Sequence, residues 1–169
     1  MDHLWAPWRM SYVTAPKPVT VDEPCFICQA LAANDDRANL IAQRTERSVV
    51  ILNRFPYNNG HLLVAPRGHK ARLEDLDTAE IVDTQETLRK MVVALSGFMR
   101  PDGFNIGLNL GKAAGAGLPG HLHWHIVPRW FGDTNFMPVF TDTRVIVQSL
   151  DALWELLTAA LAAPEGANG

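Results

Sequence analysis

Three histidines alternate with apolar residues in the short run His121-Leu122-His123-Trp124-His125-Ile126. In a β-strand, side chains at i, i+2 and i+4 point to the same face. The run therefore predicts a strand, Leu122 to Pro128, with a row of imidazoles on one face and apolar residues on the other. A polar strand face with solvated histidines is the alternative for a single histidine, but three in strict alternation inside an apolar strand favour a functional row.

Strand geometry limits what this row can do together. Adjacent histidines of the row lie about 6.6 Å apart along a strand, and the outer two lie about 13 Å apart. That distance is near the limit at which two imidazoles can coordinate the same metal ion. We expect the row to divide its tasks. His123, the middle member, is flanked by two imidazoles, which suits a reacting group.

A glycine-rich loop, residues 111–120, leads directly into the histidine run. It carries Gly111, Gly115, Gly117 and Gly120, and its one charged residue is Lys112. Backbone N–H groups of such a loop approach anions closely, although the loop lacks the Gly-Lys-Ser/Thr ending of a Walker motif. Its position suggests amides that hold phosphate oxygens while an imidazole attacks phosphorus.

Cys25 and Cys28 form a C-x-x-C pair, which has three interpretations. A redox pair is expected in a thioredoxin-like pattern, which the rest of the chain lacks. A zinc half-site needs two further ligands, and His69 with one member of the histidine row would complete a Cys2His2 tetrahedron. The third interpretation is two buried cysteines that act as small hydrophobic residues.

The remaining pattern predicts an α+β fold in a single domain, 1–169. A long helix is predicted from Leu73 to Met99, and the shorter predicted elements complete an antiparallel sheet with a closing helix. These are a short helix from Cys25 to about Leu31, strands at Ser48–Asn53, His61–Ala65 and Asn105–Leu110, a sheet extension at 136–140 and a helix from Val145 to Ala163. We predict an arm at residues 1–24, which are rich in proline. We predict the core of the domain at residues 25–130 and a C-terminal extension at residues 131–169.

Composition narrows the function classes. The chain has 169 residues, 47% of them hydrophobic, and a net charge of −3, which does not favour a general electrostatic nucleic-acid binder. No apolar run approaches the roughly 20 residues that span a bilayer, and the N-terminus does not resemble a signal peptide. We expect a cytoplasmic protein without nucleic-acid or membrane partners.

These motifs together resemble the histidine triad (HIT) superfamily of nucleotide hydrolases and transferases, whose signature is His-φ-His-φ-His-φ-φ. The resemblance runs over roughly Cys25 to Trp130. The segments LWAPWRMSYV (4–13), NLGKAAGAGLPGH (109–121) and PRWFGDTNFMPV (128–139) are similar to the bacterial branch that includes diadenosine polyphosphate phosphorylases and hydrolases. This resemblance implies a HIT-like fold and an adenine nucleotide substrate that is cleaved at the α-phosphate.

The resemblance also implies residue roles. His123 would be the nucleophile that forms a nucleotidyl-histidine intermediate, and His125 and His61 would contact phosphate or hold the row in its working tautomer. Cys25, Cys28, His69 and His121 match the structural zinc site of the family members that have one. The nucleotide-binding positions implied are Asn53 for ribose, Asn109, Gly111 and Gly117 for phosphate, and Phe26, Ile27 and Leu52 for the base pocket.

The chain departs from the family pattern just before the triad. Many family hydrolases carry a Gln or Ser there and the mycobacterial-type phosphorylases a Ser, whereas this chain has Gly117-Leu118-Pro119-Gly120. The second step must then use backbone or water, and the missing Ser counts against phosphorolysis. The family also implies a homodimer that pairs the long helices and joins the two sheets. We further expect that Arg9 and the tryptophans of the arm, together with Trp130, reach a neighbouring active site. The alternatives are a nucleotide-binding module with little turnover and a hydrolase with catalytic zinc.

Overall fold

The computed structural model describes residues 24–33, 35–134 and 146–163, and these form one antiparallel sheet with helices packed on it. The strand order is β1-β2-β3-β5-β4, and every neighbouring pair is antiparallel. The elements are α1 (Phe26–Ala32), β1 (Ile41–Arg44), β2 (Ser48–Leu52), β3 (Leu62–Pro66), a 3-10 turn (Leu73–Asp75), α2 (Thr78–Met99), β4 (Gly103–Leu108), a 3-10 turn (Lys112–Ala114), β5 (Trp124–Arg129) and α3 (Leu150–Ala162). The predicted α+β class with an antiparallel sheet is confirmed.

The core lies where the two central strands meet the helices. β2 and β3 are buried along their whole length, which explains why their sequences, SVVIL and LLVAP, lack the alternation of a half-exposed strand. Leu88, Met91 and Leu95 of α2 pack into the same cluster at helical spacing, and Leu153 and Leu157 of α3 close it.

The histidine strand begins later than the alternation predicts, at Trp124 rather than Leu122. Pairing with β3 starts at Val64–Trp124, and the Leu122 N–H donates instead to the Lys70 carbonyl oxygen beyond the end of β3, at 2.7 Å. Only His125 of the triad therefore lies in the sheet. The prediction of one strand holding all three histidines is wrong, because His121 and Leu122 bind the carbonyl oxygens of Pro66 and Lys70 instead of continuing the ladder beyond Val64–Trp124.

Helix boundaries differ from the predictions where side chains cap the first turn. The long helix begins at Thr78 because Asp77 and Glu80 form a capping box, and the apolar residues from Leu73 onward lie in a separate 3-10 turn. The C-terminal helix begins at Leu150 because the Ser149 hydroxyl accepts from the Ala152 N–H. β4 lies two residues earlier than predicted and ends at Leu108.

β1 was missed by the sequence patterns, since it has four residues and a register shift between Ile41 and Gln43. The predicted arm 1–24, except Pro24, and the predicted segment 136–140 lie outside the described residues. Within the described part of the chain, no helix has the length and apolar character needed to cross a membrane.

Candidate active site and metal centre

The structure separates the histidine row into two neighbouring groups. His121 approaches the C-x-x-C pair, with its Nδ1 3.2 Å from Cys25 Sγ and 3.6 Å from Cys28 Sγ. His123 and His125 instead have ring centroids 5.1 Å apart, and His61 lies 5.1 Å beyond His125. The row is therefore divided in space, and the division of tasks stays a prediction.

Four side chains converge at the first group: Cys25, Cys28, His69 and His121. One ligand atom from each lies within 4.8 Å of all the others, and Cys28 Sγ is 3.3 Å from His69 Nδ1. A tetrahedral ion with bonds of about 2.0–2.3 Å places neighbouring nitrogen and sulfur ligands roughly 3.5 Å apart. The sulfur–nitrogen distances fit such an ion, and both cysteines are free thiols, so the cluster could hold a metal ion.

Backbone contacts hold the four candidate metal ligands in place. Cys25 is the N-cap of α1, with its sulfur accepting from the Cys28 N–H at 3.5 Å, so one turn sets the spacing of the pair. His121 Nε2 donates to the Pro66 carbonyl oxygen at 2.8 Å, which leaves the Nδ1 lone pair facing the cysteines. Burial is the main cause that lowers the pKa of His121 and raises the pKa of the Cys28 thiol.

Lys70 joins the two histidine-bearing segments of this cluster. Its carbonyl oxygen accepts from the N–H of Leu122, next to His121, and Lys70 itself follows His69. Its ammonium binds Glu80, whose carboxylate also accepts from the Asp77 N–H. The ion pair with Lys70 is the main cause that lowers the pKa of Glu80. The segments that carry the candidate ligands His69 and His121 are therefore attached to the start of α2.

The second group begins with His123, which is 6% exposed. Its Nδ1 lies 2.8 Å from the His121 carbonyl oxygen, and a carbonyl can only accept, so Nδ1 carries the proton. A neutral imidazole with hydrogen on Nδ1 has its lone pair on Nε2. His123 therefore presents a nucleophilic nitrogen on the side of the ring away from the backbone.

His61 and His125 form a hydrogen-bonded pair beside His123. The backbone N–H of Tyr57 donates to His61 Nδ1 at 3.0 Å, so the proton of neutral His61 is on Nε2 and donates to His125 Nδ1 at 2.9 Å. His125 then carries its own proton on Nε2. That nitrogen is buried and has no hydrogen-bond partner in the ranges 24–33, 35–134 and 146–163.

Burial, followed by the nearby His123, lowers the pKa of His125 to about 4. His125 is therefore neutral at pH 7, and its Nε2–H is a donor without a charge of its own. The second group thus presents a nitrogen lone pair on His123 next to an N–H donor on His125. A nucleophilic nitrogen beside a hydrogen-bond donor suits attack on an electrophilic atom that carries oxygen atoms, such as the phosphorus of a phosphate.

The other predicted nucleotide-binding residues are distributed unevenly. Asn53 is close to the triad: its Nδ2 lies 3.2 Å from His61 Nδ1, and its Oδ1 accepts from the Phe55 N–H at 2.9 Å. Asn109 follows β4 one step beyond the pair Leu108–Trp124, which places it towards His123. Among the predicted base-pocket residues, Ile27 and Leu52 are 0% and 1% exposed core residues, and Phe26 is 44% exposed.

The glycine-rich loop is partly closed on itself. Gly111 and Gly115 have φ of +75° and +89°, a region that favours glycine, and Gly117 has open space where a Cβ would be. The N–H groups of Ala114, Gly115 and Ala116 donate to carbonyls within the loop. These three amides are not available to a phosphate, which limits the predicted anion cradle to the other groups around the triad.

Sequence reasoning missed Tyr57, whose ring contacts both His61 and His125. It also missed the carbonyl oxygens of Pro66 and Lys70, which hold the metal-ligand segments. Tyr57 lies four residues before His61 in a turn, where no periodicity indicates which side chain returns to the site. The backbone acceptors have no residue-type signal at all.

Known proteins resemble this chain in sequence and in fold. The family profile described as HIT domain matches residues 35–132. An AP-4-A phosphorylase of Mycobacterium tuberculosis is 38% identical over 155 residues, covering 89% of this chain and 79% of that protein. A Zn-bound histidine triad family protein from Mycobacterium smegmatis is 28% identical with a TM-score of 0.67, covering 82% of this chain and 93% of that one. A Plasmodium falciparum diadenosine triphosphate hydrolase, solved with Cyclomarin A, is 25% identical with a TM-score of 0.59 and 75% coverage of both chains.

Proposed function

The chain belongs to the HIT, or histidine triad, family, and from this we propose that it is a nucleotide hydrolase or nucleotidyl transferase that cleaves dinucleoside polyphosphates at the α-phosphate. An adenine dinucleotide is the proposed substrate, because the names of the M. tuberculosis and P. falciparum relatives specify diadenosine polyphosphates. The geometry of the triad supports the mechanism.

The observation that carries the proposal is the hydrogen bond between His123 Nδ1 and the His121 carbonyl oxygen. It leaves the Nε2 lone pair of His123 free to attack the α-phosphorus. A P–N bond forms, and the P–O bond to the leaving nucleotide breaks, with its electrons going to the departing polyphosphate oxygen. His125 Nε2–H donates a hydrogen bond to an oxygen of the reacting phosphate, and His61 holds His125 in the tautomer that can do so.

In the second step, water or inorganic phosphate attacks the same phosphorus and breaks the P–N bond, which restores His123. With an adenosine nucleotide, water yields AMP and phosphate yields ADP. The missing Ser near Gly117 favours water, whereas the similarity to a protein named as a phosphorylase favours phosphate. Asn53 is proposed to bind ribose, and Asn109 with Gly111 and Gly117 to contact phosphate.

The experiment is mass spectrometry of the protein quenched in alkali after brief incubation with diadenosine tetraphosphate, with and without phosphate. We expect an adenylyl group on His123 and none in His123→Asn. ADP as a product that depends on phosphate identifies a phosphorylase, and AMP identifies a hydrolase. The proposal is contradicted if neither an adduct nor a product forms with diadenosine tetraphosphate or diadenosine triphosphate.

We propose zinc as the metal at Cys25, Cys28, His69 and His121, because two thiolates and two imidazoles are the donor set that zinc prefers. Four protein ligands leave no open position for substrate, which supports a structural rather than a catalytic ion. When bound, the ion would hold the α1 N-terminus against the segment that ends at His121. A cytoplasmic location is proposed together with this site, because thiolate ligands persist where thiols are kept reduced.

A homodimer is proposed from the apolar residues that the single chain leaves exposed. Val82 and Val93 of α2 are 55% and 64% exposed, and Ile106 is 48% exposed on β4, which is an edge strand. Dimerisation through α2 and β4 would cover these side chains. Light scattering should give twice the chain mass, and Val93→Glu should lower it; a monomeric wild-type protein contradicts the proposal.

A further inference from the structure

Tyr57 covers the outer side of the histidine pair. Its ring is stacked on His125, with centroids 5.7 Å apart and an interplanar angle of 21°. The same ring is tilted against His61 at 4.6 Å. The tyrosine ring thus contacts both partners of the His61–His125 hydrogen bond, while half of the residue, 50%, remains exposed to solvent.

The backbone of Tyr57 acts on the same pair. Its N–H donates to His61 Nδ1 and so decides which nitrogen of His61 carries the proton. The neighbouring turn is held in place from the other side, since Asn58 Nδ2 donates to Asp133 at 2.8 Å and Asp133 also binds Arg129 through both carboxylate oxygens. The Tyr57 ring is therefore presented by a turn with defined attachments to the end of β5.

We propose that Tyr57 is a positioning residue: its ring clamps the His61–His125 pair and keeps water from His125, so that His125 remains a neutral donor at Nε2. Its effect on turnover rests on the proposed function of the triad, whereas its effect on His125 does not. A charged His125 would carry hydrogen on Nδ1 and lose the hydrogen bond from His61, which the ring opposes by excluding water.

Among the neighbours of His125, the Tyr57 ring is the one whose removal we expect to change the pKa of His125 most. Within residues 24–33, 35–134 and 146–163, the titratable rings in contact with His125 are those of His61, His123 and Tyr57 itself. Its sheet partners on β3 and β4 are Leu63 and Gly107, which carry no charge. Since burial is the first cause of the low pKa of His125, removing the ring that buries it should have a measurable consequence.

The test is an NMR titration of the His125 imidazole in the full-length protein, together with a kinetic pH profile on diadenosine tetraphosphate. Tyr57→Ala should raise the pKa of His125 by at least about one unit. It should also lower kcat about tenfold, with KM within about threefold. Tyr57→Phe keeps the ring and should retain the low pKa. Tyr57→Gln has similar length without a ring, and it replaces Tyr57→Ala if the alanine variant does not fold.

Phe55→Ala is the matched control, because Phe55 lies in the same turn and is 81% exposed. The proposal is overturned if the pKa of His125 in Tyr57→Ala equals that of the wild-type protein, or if Phe55→Ala raises it as much. It is also overturned if Tyr57→Phe behaves as Tyr57→Ala does. If the wild-type protein does not cleave the dinucleotide, the proposed function fails, and the titration still decides the role of Tyr57.

Discussion

His121 and His123 are two residues apart and use opposite nitrogens. His121 donates from Nε2 to the Pro66 carbonyl, which leaves Nδ1 facing two cysteines. His123 donates from Nδ1 to the His121 carbonyl, which leaves Nε2 for chemistry. The same side chain thus becomes a candidate metal ligand or a candidate nucleophile according to which ring nitrogen meets a backbone carbonyl.

The comparison also shows that the two regions are connected. The carbonyl that orients His123 belongs to His121, so the position of the candidate metal ligand sets the position of the candidate nucleophile. If the regions differ as we infer, changes at the triad should affect chemistry far more than stability. Changes at the metal cluster should affect stability first.

The largest expected effect comes from His123→Asn. Removing the attacking nitrogen should lower the turnover of diadenosine tetraphosphate by at least about 10³-fold. The melting temperature should stay close to that of the wild-type protein, since the polar amide replaces an imidazole at the edge of the core. Steady-state kinetics and thermal unfolding measure the two quantities. Turnover at a comparable rate would remove His123 as the nucleophile.

Cys25→Ser should change the other region. Loss of one thiolate should reduce bound zinc, measured by elemental analysis, from one ion per chain to a small fraction. The melting temperature should fall by on the order of 10 °C, which corresponds to roughly 3 kcal/mol for a domain of this size. A zinc chelator should inactivate the wild-type protein only as fast as it unfolds. Immediate, reversible loss of activity in folded protein would instead indicate a catalytic metal.

Gly60→Ala tests how tightly the His61 side of the triad is packed. Gly60 has φ of +78°, and an added Cβ would lie 2.8 Å from Met99 Sδ and 2.9 Å from Pro128 Cγ. We expect a loss of about 2 kcal/mol in the free energy of unfolding, from overpacking and backbone strain. Gly103→Ala is the control, because its Cβ would meet nothing within 4 Å. Equal effects in urea titrations of the two variants would contradict the packing argument.

The smallest expected effect is a pH dependence of stability from His125. Its pKa is lowered in the folded protein, so the unfolded chain binds more protons between the ordinary histidine pKa and about 4. The resulting stability is complete above that window and is lost as pH falls through it. From pH 7 to pH 5, the wild-type free energy of unfolding should fall about 1 kcal/mol more than that of His125→Asn, after allowance for partial exposure. A larger fall in the free energy of unfolding for His125→Asn than for the wild-type protein would contradict this prediction.

The sequence predicted the elements with strong local signals and missed those without them. The long helix and the strands at Ser48 and His61 follow from apolar periodicity and were predicted to within a few residues. β1 was missed because four residues with a register shift have no period to detect. The beginning of the histidine strand was misplaced because strand length depends on where its pairing with β3 starts, which is at Val64–Trp124.

The sequence alone determined which side chains are candidates for chemistry and the order in which they occur along the chain. The alternation of His121, His123 and His125, the C-x-x-C pair and the position of His69 were enough to indicate a divided histidine row and a candidate metal set. They did so because residue type and spacing limit which ligands can meet.

Only the tertiary structure decided which ring nitrogen each histidine presents and what covers it. The backbone groups of Pro66 and Tyr57 and the Tyr57 ring orient imidazoles, and the Lys70 carbonyl holds the backbone next to His121, yet no motif indicates any of these residues. The physical reason is that a tautomer and a pKa depend on hydrogen-bond partners and burial, which exist only when separate segments pack together.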